Sequence, residues 1–226
     1  MISMQLEKLQ SLNPQLKIKP VTEPSFKRYG KLYESIDLFE AAQFINGLQM
    51  PDAENDIYVK ASSSLKDMKI FNHVRFNIFG GVEIDMGYAI GHSKGPFDLC
   101  EYHRCNELLA VIDQPLVMFF GDQRDIEDNK YDLSLMEAFY VPAGTAVDLY
   151  STTLHGFPYQ TSDEGYRMIV TLPHKTNDQK DFETDPSYKQ TALLYSMNAF
   201  LIGKKNCTRV KDIYPGLTGH ISKIFY

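Results

Sequence analysis

The sequence predicts an all-β fold, a sandwich or barrel of short strands, with helices toward both ends of the chain. Three observations predict it. Between residues 68 and 172, apolar residues alternate with smaller or polar ones in runs of strand length. Turns that contain glycine or proline separate these runs at short intervals. Apolar residues recur at helical spacing near residues 37–49 and again after residue 187.

We expect a single domain, because the sequence shows no internal repeat and no flexible linker. It spans residues 1–226 and has three parts. These are an N-terminal extension, a β core and a C-terminal helix with a tail, over residues 1–66, 68–172 and 187–226.

Both predicted helices begin at a capping-box pattern. The first, at about residues 37–49, starts with Asp37-Leu38-Phe39-Glu40 and continues with apolar residues at helical spacing. The second starts with Ser187-Tyr188-Lys189-Gln190, and its apolar stripe ends at Gly203.

The β core is predicted to begin with a hairpin, because Gly80-Gly81 joins two strand-like runs. Later runs are bounded by turns such as Pro142-Ala143-Gly144. The run 98–112 is long enough for one strand or a pair of strands. The predicted strands cover residues 70–79, 82–90, 98–112, 116–120, 137–141, 146–150 and 166–172.

The composition is that of a globular protein and excludes several classes. Of 226 residues, 43% are apolar and 23% charged, and the net charge is −6. Without a Lys/Arg-rich block, this balance argues against nucleic-acid binding. No apolar run is long enough to cross a membrane, and the first residues do not resemble a signal peptide. Three cysteines, an odd number, suit reduced thiols, so we expect a cytoplasmic protein.

One short run carries several groups that can bind a metal. In residues 101–107, Glu101, His103 and Glu107 are separated by even numbers of positions, so on a strand all three would point to one face. Buried strand faces are normally apolar, because an unpaired buried carboxylate is costly. The run therefore indicates a divalent metal site, unless the face is exposed or its charges form ion pairs.

The same run resembles the first motif of the cupin superfamily. That motif is Gly, five residues, His-x-His, three or four residues, Glu, six residues and Gly. Here Gly95, Glu101-x-His103, Glu107 and Gln114 keep the spacing, with Glu in place of the first His and Gln in place of the last Gly.

The second cupin motif is matched less fully. Pro142-Ala143-Gly144 fits it, but Val147 stands where a His is usual, and the candidate histidine is His155, eight residues later. A delayed histidine of this kind is similar to ureidoglycolate lyase-like and sugar-isomerase-like cupins. The segment 25–32 also looks like the first strand of the ureidoglycolate lyase family.

The resemblance implies a cupin-type double-stranded β-helix barrel that holds a metal inside it. Matching positions give the ligands Glu101, His103, Glu107 and His155. A shell of mixed nitrogen and oxygen ligands favours Mn²⁺, Fe²⁺ or Zn²⁺. Glu101 or Glu107 is the candidate catalytic carboxylate, and Glu101 could act as a general base beside a metal held by the other three.

Three further residues are candidates for substrate binding. Arg75 and Arg167 lie in predicted strands and could hold an anionic group if they face inward, although an outward-facing charge is an equal alternative. Tyr150 could donate a hydrogen bond to a sugar hydroxyl, although tyrosine is abundant here and packing is its default role.

These observations favour a metal-dependent isomerase or lyase that acts on a small sugar or on a hydroxy or keto acid. The alternative is a non-catalytic cupin module that binds a small carbohydrate or metabolite. For partners we expect a small-molecule substrate and a second copy of the chain in a homodimer, with neither nucleic acid nor membrane.

Overall fold

The structure, a computed structural model, describes residues 3–52, 55–93 and 95–226. Most of its regular structure is β-sheet. The α-helices are α1 Met4–Leu12, α2 Phe39–Asn46, α3 Ser63–Lys66 and α4 Lys69–Asn77. The strands are β1 Lys19–Pro20, β2 Gly30–Tyr33, β3 Asp56–Val59, β4 Ile84–Gly91, β5 Leu99–His103, β6 Glu107–Val111, β7 Leu116–Asp122, β8 Tyr131–Asp132, β9 Glu137–Val141, β10 Ala146–Leu149, β11 Thr153–His155, β12 Tyr159–Gln160, β13 Tyr166–Pro173, β14 Leu194–Ser196, β15 Ala199–Gly203 and β16 Leu217–Thr218.

The strands form two large sheets and one small one. The eight-stranded sheet has the order β1-β9-β7-β11-β5-β15-β14, with β12 paired to β7. The six-stranded sheet has the order β2-β10-β6-β13-β4-β3, and β8 pairs with β16. The mostly-β prediction is confirmed. Over the residues that the structure describes, however, the two sheets do not share a strand pairing that would close a barrel, and the predicted double-stranded β-helix is not shown.

The main core lies between the two large sheets. Strand β7 shows how the sequence sorts its residues, because successive side chains point to opposite faces. Leu116, Met118 and Phe120 pack inward against residues of the six-stranded sheet such as Leu109 and Val170. The residues that alternate with them on β7 pack in a second cluster on the other face.

Helices and terminal segments cover the outer face of each large sheet. On the eight-stranded sheet, Leu6 and Leu9 of α1 pack with Ile224 near the C-terminus. On the six-stranded sheet, Ile45 of α2 and Val74 of α4 are buried in a further cluster. Both sheets therefore lie between two apolar layers, which explains why alternate positions on both faces of many strands are apolar. Within the described part of the chain, no helix has the length and apolar character needed to cross a membrane.

The first predicted strand, 70–79, is wrong, because these residues form helix α4. Ile70, Phe71 and Val74 are buried at helical spacing, which their mixture with polar residues concealed in the sequence. Gly80 and Gly81 both have positive φ and form the turn after this helix, not a hairpin.

The C-terminal helix predicted from residue 187 is also wrong. After a short 3₁₀ turn at Lys189–Leu193, the chain forms β14 and β15, which pair with each other, and β15 pairs with β5. Ala199 and Leu201 pack in one cluster while Ile202 lies in another, which is strand periodicity. The structure also has a helix, α1, in the N-terminal extension, where the sequence predicted only the helix at about residues 37–49. Ser3 caps α1 by accepting a hydrogen bond from Leu6 N at 3.1 Å.

Asp148 is a buried carboxylate with few hydrogen bonds to replace those it would make with water. Its side chain accepts one hydrogen bond, from Asn106 Nδ2 at 3.3 Å, and its Oδ1 has no partner. Burial raises the pKa of Asp148 to about 6, although the hydrogen bond from Asn106 opposes the shift. The folded protein therefore binds this proton more tightly than the unfolded chain does.

We expect Asp148→Asn to stabilise the protein at pH 8 and to have little effect at pH 4. Because the folded pKa is raised, wild-type stability falls as the pH rises from about 4 to about 6, whereas the amide does not ionise. The gain in the free energy of unfolding at pH 8 is about 1–2 kcal/mol, since a pKa unit is about 1.4 kcal/mol and burying the uncharged amide has a cost of its own. Urea unfolding at both pH values measures it. The exposed Asp181→Asn serves as control, and an equal gain at both pH values would contradict the prediction.

Candidate metal centre

The acidic and imidazole side chains of the run 101–107 lie on two strands that belong to different sheets. Strand β5 of the eight-stranded sheet ends at His103, and β6 of the six-stranded sheet begins at Glu107. The residues between them carry the chain from one sheet to the other. Of the two alternatives for the run 98–112, one strand or a pair of strands, the pair is confirmed, so residues 101–107 do not lie on a single strand. Glu101 and His103 share a face of β5, and Glu107 approaches them from the facing sheet.

Strand β11 brings the fourth predicted ligand to the same place. His155 is the register partner of Glu101, because β11 pairs antiparallel with β5. Ligand atoms of Glu101, His103 and His155 all lie within 4.8 Å of one another. His155 Nε2 is 2.9 Å from Glu107 Oε2, and His103 Nε2 is 3.8 Å from the same oxygen. All four residues predicted as metal ligands thus converge.

The ionised forms of Glu107 and His155 stabilise each other. Burial alone would raise the pKa of Glu107, but the charge of His155 and its hydrogen bond hold this pKa below the ordinary value. Burial alone would lower the pKa of His155, but the neighbouring charge of Glu107 raises it above the ordinary value. Glu107 is therefore a buried carboxylate held in its ionised form, which suits it to balance a positive charge.

The ring of His103 is held by the backbone of a neighbouring turn. His103 Nδ1 lies 3.1 Å from the carbonyl oxygen of Asn198, so this nitrogen carries the hydrogen and donates it. The lone pair of His103 Nε2 then points into the cluster, as in histidines whose second nitrogen is fixed for metal binding.

Asn198 is itself anchored by its side chain. Its φ of 59° is in the left-handed region. Its Oδ1 accepts a hydrogen bond from Arg104 N at 2.9 Å, and its Nδ2 lies 3.0 Å from Cys105 Sγ and 3.2 Å from Thr176 Oγ1. These contacts fix the carbonyl that orients His103. The sequence offered no signal for this role.

A cavity of about 370 Å³ lies beside the cluster, and Glu101, Glu107 and His155 line it. Both large sheets contribute to its wall. Most of that wall is apolar and includes Leu99, Leu109, Met118, Met168, Val170 and Leu201. A small organic molecule in this cavity would contact the cluster at one place and hydrocarbon elsewhere.

The cluster fits a divalent metal. His103 Nε2 and Glu107 Oε2 are buried and have no partner in hydrogen-bond geometry, although Oε2 lies within ion-pair distance of His155. Buried polar atoms normally have hydrogen-bond partners or bind an ion. Two such atoms without a partner, close to each other, therefore indicate that an ion binds between them. Two imidazoles and two carboxylates are the donor set that Mn²⁺, Fe²⁺ and Zn²⁺ accept.

The three residues predicted to bind substrate lie outside this cluster and do not line the cavity. Arg75 is on helix α4, and its Nε donates to the Val82 carbonyl at 3.3 Å. Arg167 forms an ion pair of 2.8 Å with Asp113. Tyr150 is 39% exposed, in the turn before β11.

Several cavity residues were not singled out from the sequence. Tyr58 and Asn177 meet in a hydrogen bond of 3.3 Å, with the Asn177 amide donating to the Tyr58 hydroxyl. Burial, together with the charges of Glu107 and Glu101, raises the pKa of Tyr58. Further polar lining comes from Asp56, Tyr195 and Ser196. They lie on the edge strands β3 and β14 and in a loop, where no short motif marks a residue as part of a site.

The fold and the cluster together define a mostly-β protein with a candidate His/Glu metal centre. The chain belongs to the family described as "Domain of unknown function (DUF4867)", whose model matches residues 18–221. No curated protein matches the chain.

Similar solved structures include oxalate-metabolising enzymes, and all of these likenesses are partial. An oxalate decarboxylase from Bacillus subtilis with Mn(II) centres is 14% identical, at a TM-score of 0.32, over 54% of this chain and 28% of that one. An oxalate oxidase in complex with the substrate analogue glycolate is 19% identical, at a TM-score of 0.29, over 39% and 40%. An oxalate decarboxylase from Lactobacillus farciminis in a formate complex is 14% identical, at a TM-score of 0.32, over 43% and 26%. This chain thus spans well under half the length of each.

Proposed function

We propose that this protein is a metal-dependent enzyme of the cupin type that isomerises or cleaves a small compound with adjacent hydroxyl and carbonyl groups. One observation carries the proposal. His103 Nε2 and His155 Nε2 lie 3.8 and 2.9 Å from the buried Glu107 Oε2 beside an apolar cavity, and a carboxylate oxygen of Glu101 lies within 4.8 Å of both imidazoles.

The positions of the four residues suggest which of them bind the metal and which transfers a proton. His103, His155 and Glu107 would hold the ion, because they are buried and their charges are mutually compensated. A bound divalent ion would supply Lewis-acid stabilisation of negative charge that develops on an oxygen atom of the substrate.

Glu101 is the candidate for proton transfer. It is the one acidic residue of the cluster that is only partly buried, and its side chain reaches the cavity. A carboxylate in this position can accept a proton from the carbon next to a carbonyl group, which is the first step of both isomerisation and elimination.

Elemental analysis of the purified protein tests the metal site. We expect about one transition-metal ion per chain, and a rise in the melting temperature when Mn²⁺, Zn²⁺ or Fe²⁺ is added to stripped protein. A protein that is metal-free and keeps the same melting temperature with all three ions would contradict the proposal. It would favour a non-catalytic module that binds a small molecule.

Hydrogen exchange tests the chemistry. We expect metal-loaded protein in D₂O to exchange the proton next to the carbonyl group in at least one of a panel of free aldoses and ketoses, as measured by NMR. Glu101→Gln should lose this exchange by about 100-fold or more while keeping its metal. Equal exchange in both proteins would remove Glu101 from the proposed role.

Asn198→Ala should weaken metal binding by about tenfold, the usual scale for groups that orient a metal ligand. The change removes the side-chain contacts that hold the turn and leaves alanine in a left-handed conformation. Asn198→Gly loses the same contacts without the backbone strain, so the pair separates the two causes. Calorimetric titration of stripped protein with Zn²⁺ measures both. Unchanged affinity in both variants would show that His103 does not depend on this turn.

A further inference from the structure

The cavity beside the candidate metal centre is acidic. Its lining includes the carboxylates of Asp56, Glu101 and Glu107, and none of the described lining residues is Lys or Arg. One divalent ion would not neutralise three carboxylates. Glu107 is buried, Glu101 is partly buried and Asp56 is exposed, so the field on a ligand is negative and is least screened beside Glu107.

The basic residues near the cavity lining, Arg209 and Lys60, already form contacts with acidic or aromatic side chains. Arg209 lies 4.8 Å from the ring centre of Phe157 and 3.7 Å from Asp98. Lys60, which follows β3, forms ion pairs with Asp85 and Asp178. Both cations therefore already have partners, and neither side chain lines the cavity.

The remaining polar groups of the lining are uncharged. Tyr58, Tyr195 and Ser196 offer hydroxyls, and Asn177 offers an amide. Such groups pair well with hydroxyl or carbonyl oxygens, whereas a phosphate or carboxylate needs cationic or multiple N–H donors to offset its desolvation. The apolar wall suits a hydrocarbon flank.

We infer that the substrate is an uncharged hydroxycarbonyl compound with an apolar flank, and that carboxylates and phosphate esters are excluded. The inference rests on the proposed function, because the hydroxyl and carbonyl oxygens would face the metal. It narrows the substrate class, since it rejects the hydroxy and keto acids that the family resemblance allows. Asp56 acts as a specificity-determining residue that repels anions.

Two matched pairs of ligands test this inference: mandelamide with mandelate, and lactamide with lactate. The members of each pair share the carbon skeleton and the neighbouring hydroxyl and carbonyl oxygens, and they differ in charge. In water the carboxylates bind a divalent ion more tightly because they are anionic. We expect the Mn²⁺-loaded protein at pH 8 to reverse this order and to bind mandelamide at least tenfold more tightly than mandelate, as measured by calorimetry.

Asp56→Asn should raise the affinity for mandelate at least threefold and leave that for mandelamide unchanged. Asp181→Asn removes an exposed carboxylate that does not line the cavity and should change neither. If mandelate binds as tightly as mandelamide, or if neither amide binds to protein that carries Mn²⁺, the inference is overturned and the metal site stands. If the protein takes up no Mn²⁺, the proposed metal-dependent function is contradicted, and this inference, which depends on it, is contradicted as well.

Discussion

His155→Ala is expected to abolish stoichiometric metal binding, with an affinity for Mn²⁺ or Zn²⁺ reduced at least 100-fold. His155 supplies one of the two imidazoles, and its Nε2 lies 2.9 Å from Glu107 Oε2. Removing a group that only orients a metal ligand typically lowers metal affinity 10- to 100-fold. Removing a ligand itself should lower metal affinity by more than that. The variant also leaves Glu107 ionised and buried with weaker compensation, so we expect lower stability as well.

The measurement is metal content after dialysis, together with calorimetric titration of stripped protein. His103→Ala should behave in the same way, because its Nε2 is the second imidazole nitrogen that faces Glu107. His73→Ala is the matched control, since His73 is exposed on helix α4 and lies outside the cluster. A His155→Ala protein that keeps one tightly bound ion would place the metal elsewhere and remove the basis of the proposed function.

The sequence was sufficient to predict that the four residues of the cluster would meet. Its spacing matched a known motif, and period-two alternation placed Glu101 and His103 on one face of β5. A pair of strands was one of the two alternatives for this run, but the sequence did not locate the turn at residues 104–106 that brings Glu107 in from the facing sheet. Spacing along a chain constrains distances, but whether three residues continue a strand or leave it depends on pairing with distant strands.

The elements that were wrongly predicted share a physical cause. Helix α4 and strands β14 and β15 are short, and their apolar residues fit helical and strand periods about equally well. Tertiary pairing decides between the two in such cases. Strand β15 extends because β5 offers an edge to pair with, and α4 is helical because one of its faces covers the six-stranded sheet. Neither partner is visible in the local sequence.

The cavity residues were the least predictable part of the site. Tyr58 and Asn177 are 119 positions apart, and neither belongs to a motif. The predicted substrate contacts Arg75 and Arg167 were chosen because basic side chains suit anionic ligands. The structure places both outside the cavity, and none of the described lining residues is Lys or Arg. The absence of Lys and Arg from the described lining is the observation behind the proposed restriction to uncharged substrates.

Phe120→Ala is expected to destabilise the protein by about 3–5 kcal/mol, the usual range for removing a fully buried aromatic ring. Phe120 is 0% exposed and packs between the two large sheets, with ring centres of Phe26, Tyr29 and Phe139 within 6.0 Å. It is also the register partner of His155 on β7. The melting temperature should fall by roughly 10 °C, since 1 kcal/mol corresponds to about 2–4 °C in a protein of this size.

Phe76→Ala is the control, because Phe76 is 57% exposed on helix α4 and its removal should cost less than about 1 kcal/mol. Metal binding gives a second measurement. An ion at a thousand times its dissociation constant stabilises the native state by about 4 kcal/mol, so saturated Phe120→Ala should melt close to metal-free wild type. If the ion restores no stability in the variant while wild type responds, the packing around Phe120 is what positions His155 for the metal. A loss no greater than that of Phe76→Ala would contradict the central place of Phe120 in the core.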